Sequence, residues 1–404
     1  MYVPLPIDEI TLGEPLPVNV WDARGQLLLR KGAIIRDEHH REWLRMHAPM
    51  IRREDHEVWR FHYTAALDRA LRSNQPLQAI AGVARPMAFE PPAAIDEDQR
   101  PLTEALADLH AALTLLLHQG EQLQDWSGRF VRVDQRLQAL VRQHGADDVL
   151  FVLVQMLLNP ELGYSASHAL TCAVVAELTA HHTLRWPEAT LQSLRRAALS
   201  MNVGMARLHD DLARQEGPLH GEQRRAVLAH PERGEGLLRR LGVSDPLWLA
   251  LVRDHHEVSG GGGYPRGVAD PSREAQLLRL ADVYVARLSP RVHRPGLPPP
   301  RAARDVALDA SGVPTPLGTA LVKTVGLYVP GSYVELASGE LGVVARRGRR
   351  ANTPLVFALI GRDGLPRGEP PLRDTEQPAW AVRGSVAPQQ VKVRVNPDRL
   401  LARL

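Results

Sequence analysis

The chain has 404 residues, 44% of them hydrophobic, so it is longer than a usual single domain of roughly 100–200 residues and can bury a sizeable core in two or three domains. Lysine and arginine total 49 against 46 aspartates and glutamates, a formal charge of +3 that argues against the concentrated basic face DNA binding needs. A single cysteine, Cys172, excludes an intramolecular disulfide; the lack of a signal-like start and of any apolar run near ~18 residues sets the expectation of a soluble, cytoplasmic protein without a membrane span.

Near the start, LPVNVWDARGQLLLRKGAII reads as strand, turn and strand, with Gly25 supplying the turn, and RDEHHREWLRMHA as a short helix. Residues 1–65 are therefore predicted to form a small strand-rich accessory domain. Residues 66–135 follow as linker and lead-in helices, the linker being RPMAFEPPAAIDEDQRP, with its prolines and acids. From LTEALADLHAALTLLLHQ onward, apolar residues recur at three- and four-residue spacing through VLFVLVQMLL, SHALTCAVVAEL, QSLRRAALSM, EQRRAVLAHPERGEGLLRRL, PLWLALVRDHHE and SREAQLLRLADVYVARL. These runs predict an all-helical domain over residues 136–310. RPGLPPPRAARD punctuates the chain, and the alternating SYVELASGELGVVARRG and TPLVFALIGRDG predict a small β-rich region over residues 325–404. The fold class is mainly α: a central all-helical domain flanked by small strand-rich N- and C-terminal regions.

The helical region supplies imidazoles and a carboxylate at intervals: His168, His230, His255, His256 and Asp282. A divalent metal wants such neutral nitrogens and carboxylate oxygens converging from different elements. Four of them fall on apolar helix faces, where an unpaired aspartate would be costly, so Asp282 needs a partner. Taken singly, each also reads as a hydrogen-bonded core histidine or a helix-end acid. His255 and His256 are adjacent, and adjacent helix positions diverge by about 100°, so both rings serve one purpose only beside a wide site. His39–His40 and His181–His182 are predicted to face solvent, and Cys172, in HALTCAVVAEL, to act as a small buried hydrophobe. The run Gly260–Gly263 allows close backbone approach to a ligand and can present N–H groups, Tyr264 offers a flat face and Pro265 fixes the exit.

HHEVSGGGGYPRG, followed by ADVYVARLSPRVHR, resembles the HD-GYP family, a branch of the HD metal-dependent phosphohydrolases that hydrolyses cyclic di-GMP. The resemblance spans about residues 160–300 and implies an HD-type helical domain with His168, His230, His255, His256 and Asp282 as metal ligands. It further implies a ligand-binding set of Gly263, Tyr264, Pro265, Arg291 and Arg294, and likens the tail GLYVPGSYVELASGELGVVARRG to a β extension that often follows this domain. The family's His-Asp pair should stand where this sequence has ALSMNVGMARL. Met201 replaces the histidine, Asn202 the metal-bridging aspartate, and Met205 the lysine that would assist at the phosphate; Tyr164 stands where some relatives carry an extra acidic ligand, and Gly260 replaces an aspartate. His209–Asp210 lies eight residues too far along to serve as the missing pair. The expected protein is thus a degenerate HD-GYP member of bacterial cyclic di-GMP signalling. It would be a nucleotide-binding or interaction module with lost or strongly reduced hydrolysis, holding at most one divalent ion, Fe or Mn. Its expected partners are cyclic di-GMP or a related cyclic dinucleotide and a signalling protein. The alternative is a metal-dependent cyclic di-GMP phosphodiesterase with a rearranged metal site.

Overall fold

The computed structural model describes residues 2–52, apart from positions 6, 8, 9, 11, 14, 17 and 23–26, and residues 100–404, apart from 160 and 293. The turn at Gly25 and nearly all of the expected linker lie outside the described residues. The chain divides into two compact units, Met1–Glu97 and Asp98–Leu404.

In the first unit, short strands β1 (Tyr2–Pro4), β2 (Val20–Trp21), β3 (Leu27–Leu29) and β4 (Met50–Arg52) pair in the order β1-β4-β2-β3. Helix α1 (Glu38–Met46) starts at Asp37, whose side chain accepts from the His40 N–H, and its Leu44 joins Val20, Ile35 and Ile51 in the core. His39 and His40 are half-buried on this helix rather than fully exposed.

The second unit is helical from α2 (Leu102–Gln119), α3 (Trp126–His144) and α4 (Ala146–Leu157) through α5 (Tyr164–Leu178), α6 (Glu188–Ser200) and α7 (Ala206–Arg214). It continues with α8 (Gly221–Arg240), α9 (Pro246–Asp254) and α10 (Arg273–Leu288). Helix α5 is buried on nearly every face, as its run of Ala, Val, Ser and Thr allows, and packs against α4, α6 and α10. Beneath it the fully buried Arg195 donates to Asp134 and, at 2.7 Å, to Glu177, while Arg196 donates to Asp134 at 2.8 Å.

The chain departs from the expected pattern in two places. The boundary drawn at residue 136 falls inside α3, which is one continuous helix. RPGLPPPRAARD does not end the helical region: α11 (Pro299–Ala307) and α12 (Pro316–Val325) follow, each with proline in its first turn, where the missing N–H costs nothing.

The C-terminal sheet, β5 (Tyr333–Leu336), β6 (Leu341–Arg346), β7 (Leu355–Ile360), β8 (Leu372–Asp374) and β9 (Val382–Val386), is antiparallel in the order β8-β7-β6-β5-β9. It is tied to α4 by Arg346 on Asp148, at 2.9 and 3.0 Å, and Arg347 on Asp147. Tyr333 Oη also donates to Gln155 Oε1 at 3.0 Å. Gln155 in turn donates to the Gly331 carbonyl at 2.6 Å. Among the described residues no helix is long and apolar enough to cross a membrane.

Candidate metal centre and cavity

Helix α9 ends at Asp254, so His255 is its C-cap and His256 stands beyond it. This differs from the helix expected to run through both histidines. Leaving the helix removes the ~100° divergence, and the two rings lie 4.1 Å apart by centroid, both near His230 of α8. His230 and His255 donate Nδ1–H to the carbonyls of Val227 and Val252, at 2.6 and 2.7 Å, which aims their Nε2 atoms at each other across 3.2 Å. Two acceptor lone pairs facing at that distance require a proton or a cation between them. Burial, then the neighbouring His255, pushes His230 down to about 3, and burial also lowers His255, so a proton is disfavoured there. A backbone-fixed Nδ1–H with a free Nε2 is the arrangement that orients metal-bound histidines. The donor atoms of His230, His255 and His256 lie within 4.8 Å of one another, and the set fits a divalent ion.

A second group forms on α5 and α10. His168 Nε2 lies 2.8 Å from Asp282 Oδ1 and 3.4 Å from Cys172 Sγ, one helical turn along. The donor atoms of His168, Cys172 and Asp282 likewise lie within 4.8 Å of one another. Burial alone would raise the Asp282 carboxyl, but the His168 hydrogen bond and the surrounding imidazoles hold it well below the usual carboxylate range. Its other oxygen, Oδ2, lies 3.9 Å from His256 Nδ1, so Asp282 turns one oxygen toward each group. Tyr164 Oη contacts His168 Nδ1 at 3.2 Å and receives Arg291 Nη2 at 3.3 Å.

Both groups adjoin a cavity of about 590 Å³ whose wall includes Asn202, Met205, His209, His256, Tyr264 and Arg291. Met201 is fully buried in the core and does not reach it. Asn202 is buried, and its Nδ2 has no hydrogen-bond partner among the described residues. Gly204 leaves room for the close approach of its turn to α8: an added Cβ would lie 2.4 Å from the His230 carbonyl oxygen.

Glu257, buried at 1% exposure, accepts from the Arg266 and Val268 N–H groups at 2.8 and 2.9 Å and so braces the glycine loop. Of the four glycines expected to present N–H groups, Gly260 and Gly261 donate instead to Ala269 and Val258 inside the loop. Gly263 is a packing position, since a Cβ there would meet Glu257 Cα and the Val258 nitrogen at 2.5 Å. Tyr264 stacks on His256, 4.5 Å apart and 22° from parallel, and joins Pro265 through a cis peptide bond. Arg291 lies over the Tyr164 ring, with its buried Nε lacking a partner among the described residues. Arg294 does not line the cavity; its guanidinium donates to the Ala286 carbonyl at 2.8 Å. His181 and His182 are exposed, as expected.

Two residues of this neighbourhood, His209 and Cys172, are not identified as site groups by the sequence pattern. Asp210 is engaged elsewhere, by His118 and the Ser165 N–H, both at 2.7 Å, so it cannot replace the bridging aspartate. His209, however, is buried against Tyr164 and His168 in the cavity wall, and its Nδ1 has no partner among the described residues. Cys172 is buried as expected, yet its sulfur faces His168. The four-residue spacing from His168 to Cys172 was the available signal.

Residues 152–311 match the family model described as HD domain. Over 212 residues the chain is 31% identical to a cyclic di-GMP phosphodiesterase of Pseudomonas aeruginosa, covering 52% of this chain and 50% of that protein. The helical core of the second unit is thus similar to an HD domain, in keeping with the HD-GYP resemblance of the sequence. The chain is also 29% identical over 182 residues to a 3'3'-cGAMP-specific phosphodiesterase of Vibrio cholerae, covering 45% of this chain and 39% of that one. It thus spans half or less of the length of these curated relatives. An HDG"Y"P protein from Bdellovibrio bacteriovorus aligns over 80% of this chain and 98% of its own, at 15% identity and a TM-score of 0.46.

Proposed function

We propose that this chain binds a cyclic dinucleotide, cyclic di-GMP or a relative of it, as a signalling module whose hydrolysis is lost or strongly reduced. The observation that carries the reading is the wall formed by Asn202 and Met205 beside an otherwise furnished cavity. The cavity volume is within the range of small-molecule sites, roughly 300–1,000 Å³. Its polar groups suit a phosphodiester with bases: Arg291 offers a guanidinium to phosphate, and Tyr264 offers a ring for stacking.

His230, His255 and His256 would hold a divalent ion, Fe or Mn, which supplies positive charge to a phosphate oxygen when bound. The chain's own residues do the rest. The carbonyls of Val227 and Val252 fix the two rings, and Tyr264 steadies the third by stacking. Asn202 brings a neutral amide where a carboxylate would offset the charge of two ions, and Met205 brings no cation to the phosphate. Loss of one member of a catalytic unit tends to forfeit most of the effect of the whole.

A metal-dependent phosphodiesterase with a rearranged site is the second reading, favoured by Asp282, which has one oxygen toward each ligand group. Calorimetry with cyclic di-GMP in the presence of Mn²⁺ or Fe²⁺, followed by chromatography of the nucleotide, separates the two. Binding in the micromolar range without product is expected. Turnover near about 1 per second, a common enzymatic rate, that disappears in His255→Ala would establish the second reading; no binding at tens of micromolar would defeat both.

A further inference from the structure

We propose that the corner where the turn after α5, the end of α12 and the β6–β7 loop meet is a docking surface for an acidic segment of a protein partner. It shares no residue with the cavity wall and goes beyond nucleotide binding there.

The three segments are pinned to one another. Helix α5 runs on into a π-helical turn, Thr179–Thr183, whose Thr183 Oγ1 lies 2.6 Å from Thr324 Oγ1 of α12. Arg347, next after β6, donates to the Thr324 carbonyl at 2.7 Å, and the Leu327 N–H donates to the Ala351 carbonyl at 2.8 Å. These ties gather Arg185, Lys323, Arg349 and Arg350 at one surface, all exposed and none in an ion pair among the described residues. His181 and His182 are exposed beside them, with their rings 4.7 Å apart.

The acids of this corner are largely spent. Asp147 serves Arg347 and Asp148 serves Arg346, which leaves Glu188, the exposed first residue of α6. Over the whole chain Lys and Arg exceed Asp and Glu only by 49 to 46, so this surplus of unpaired cations is a local concentration that the net charge hides. His182 registers the field: burial first, then His181, Arg347 and Arg185, hold it below its ordinary range.

Arg185 adds an independent observation. Its φ of +58° is the left-handed conformation for which glycine is the default at a helix end. An arginine that keeps this strained position on the surface points to a use for its side chain. Carboxylate is the anion that fits best, because the planar guanidinium takes both oxygens at once, as Arg346 does on Asp148 at 2.9 and 3.0 Å beside this corner. Single-stranded nucleic acid calls for aromatic faces on which bases stack, and stable membrane anchoring for a second signal besides charge. None of the large exposed hydrophobic residues lies in these segments, and Leu184 and Trp186 are partly buried.

The test titrates the full chain with a fluorescein-labelled glutamate decapeptide and reads anisotropy, with a thymidine oligonucleotide of equal charge and phosphatidylserine vesicles titrated in parallel. The expected result is saturable peptide binding that weakens as salt rises and is tighter than binding to either alternative. Arg349→Glu combined with Arg350→Glu should weaken it at least tenfold. Lys392→Glu combined with Arg394→Glu, the same change of net charge on exposed residues near the C-terminus, should shift it less than twofold. Arg185→Gly should bind the peptide several-fold more weakly while unfolding at higher denaturant, since glycine takes this φ without strain. Circular dichroism checks folding, and Arg185→Gly, which reverses no charge, decides should the double variants fail to fold. No saturable peptide binding at low salt, equal losses in the two double variants, unchanged binding in Arg185→Gly, or tighter binding to the oligonucleotide or the vesicles would overturn the proposal. No cyclic dinucleotide enters these titrations, so their outcome is separate from that of the proposed function.

Discussion

The turn Met201–Met205 and the loop His255–Val268 both contribute to the wall of one cavity and stand in opposite relation to the pattern that the HD-GYP resemblance implies. The loop keeps its residue types: two histidines, a bracing glutamate, glycines and Tyr264–Pro265. The turn carries Met201, Asn202 and Met205 where the resemblance implies a His-Asp pair and a lysine, and it has a tight backbone, with Gly204 set close against the His230 carbonyl. Shape and chemistry are therefore separable here. The turn packs against α8, which carries the one histidine that the loop does not supply.

The strongest way to break this comparison is Gly204→Ala. A Cβ 2.4 Å from a backbone oxygen and 2.8 Å from the Gly234 nitrogen has no flexible neighbour to yield. Destabilisation of about 3 kcal/mol is expected, together with at least tenfold weaker metal binding at His230, read by denaturant unfolding and metal titration. An unchanged midpoint and affinity would mean that the turn is not a support at all. Glu257→Ala should come next, costing about 1.5–3 kcal/mol, the worth of a hydrogen bond to a charged group. The Arg266 and Val268 N–H groups lose their acceptor in that variant. Faster amide exchange confined to this loop is the confirming measurement.

Restoring chemistry to the turn sharpens the contrast. Asn202→Asp should tighten divalent-ion binding about tenfold, or roughly 1.4 kcal/mol, by adding a carboxylate to the cavity wall. No change in ion affinity would place the deficit elsewhere. The smallest effect is expected for Tyr264→Phe. The stack on His256 remains, so stability should shift by less than about 0.5 kcal/mol in the same unfolding assay; a larger loss would assign the hydroxyl a bond that the ring geometry does not require.

The helices of the central domain were legible because their apolar period is regular, and His168, His230, His255, His256 and Asp282 because their types and spacing are unusual. The end of α9 was not: nothing in VRDHHEV marks Asp254 as the last helical residue, and only the need for both rings on one side explains the break. Register excludes His209 from the motif, but register tests only correspondence with a motif and says nothing of which neighbouring helix a side chain meets. Packing of α7 on α5 brings it to Tyr164 and His168. Arg294 shows the reverse: it matches a pattern, yet its guanidinium serves a helix-end carbonyl. The Pro-rich start of α11 reads in sequence as an interruption because proline ends helices more visibly than it begins them.

The ion network around Arg195 bears on how such a domain can change. Arg195 is fully buried, and Asp134 serves both it and Arg196. Removing Arg195 or Asp134 alone strands the other's charge in the interior, at a cost of about 3–5 kcal/mol, whereas replacing the whole set at once by apolar residues can be nearly neutral. Single substitutions are therefore blocked in this part of the molecule and the route out is a concerted one. Asn202 and Met205 in the cavity wall carry no charge and belong to no such interlock, and an exchange there can be made one residue at a time. The same chain thus contains a frame that resists stepwise alteration and a cavity wall that permits it, so groups facing the cavity can be traded while the frame that displays them stays unaltered.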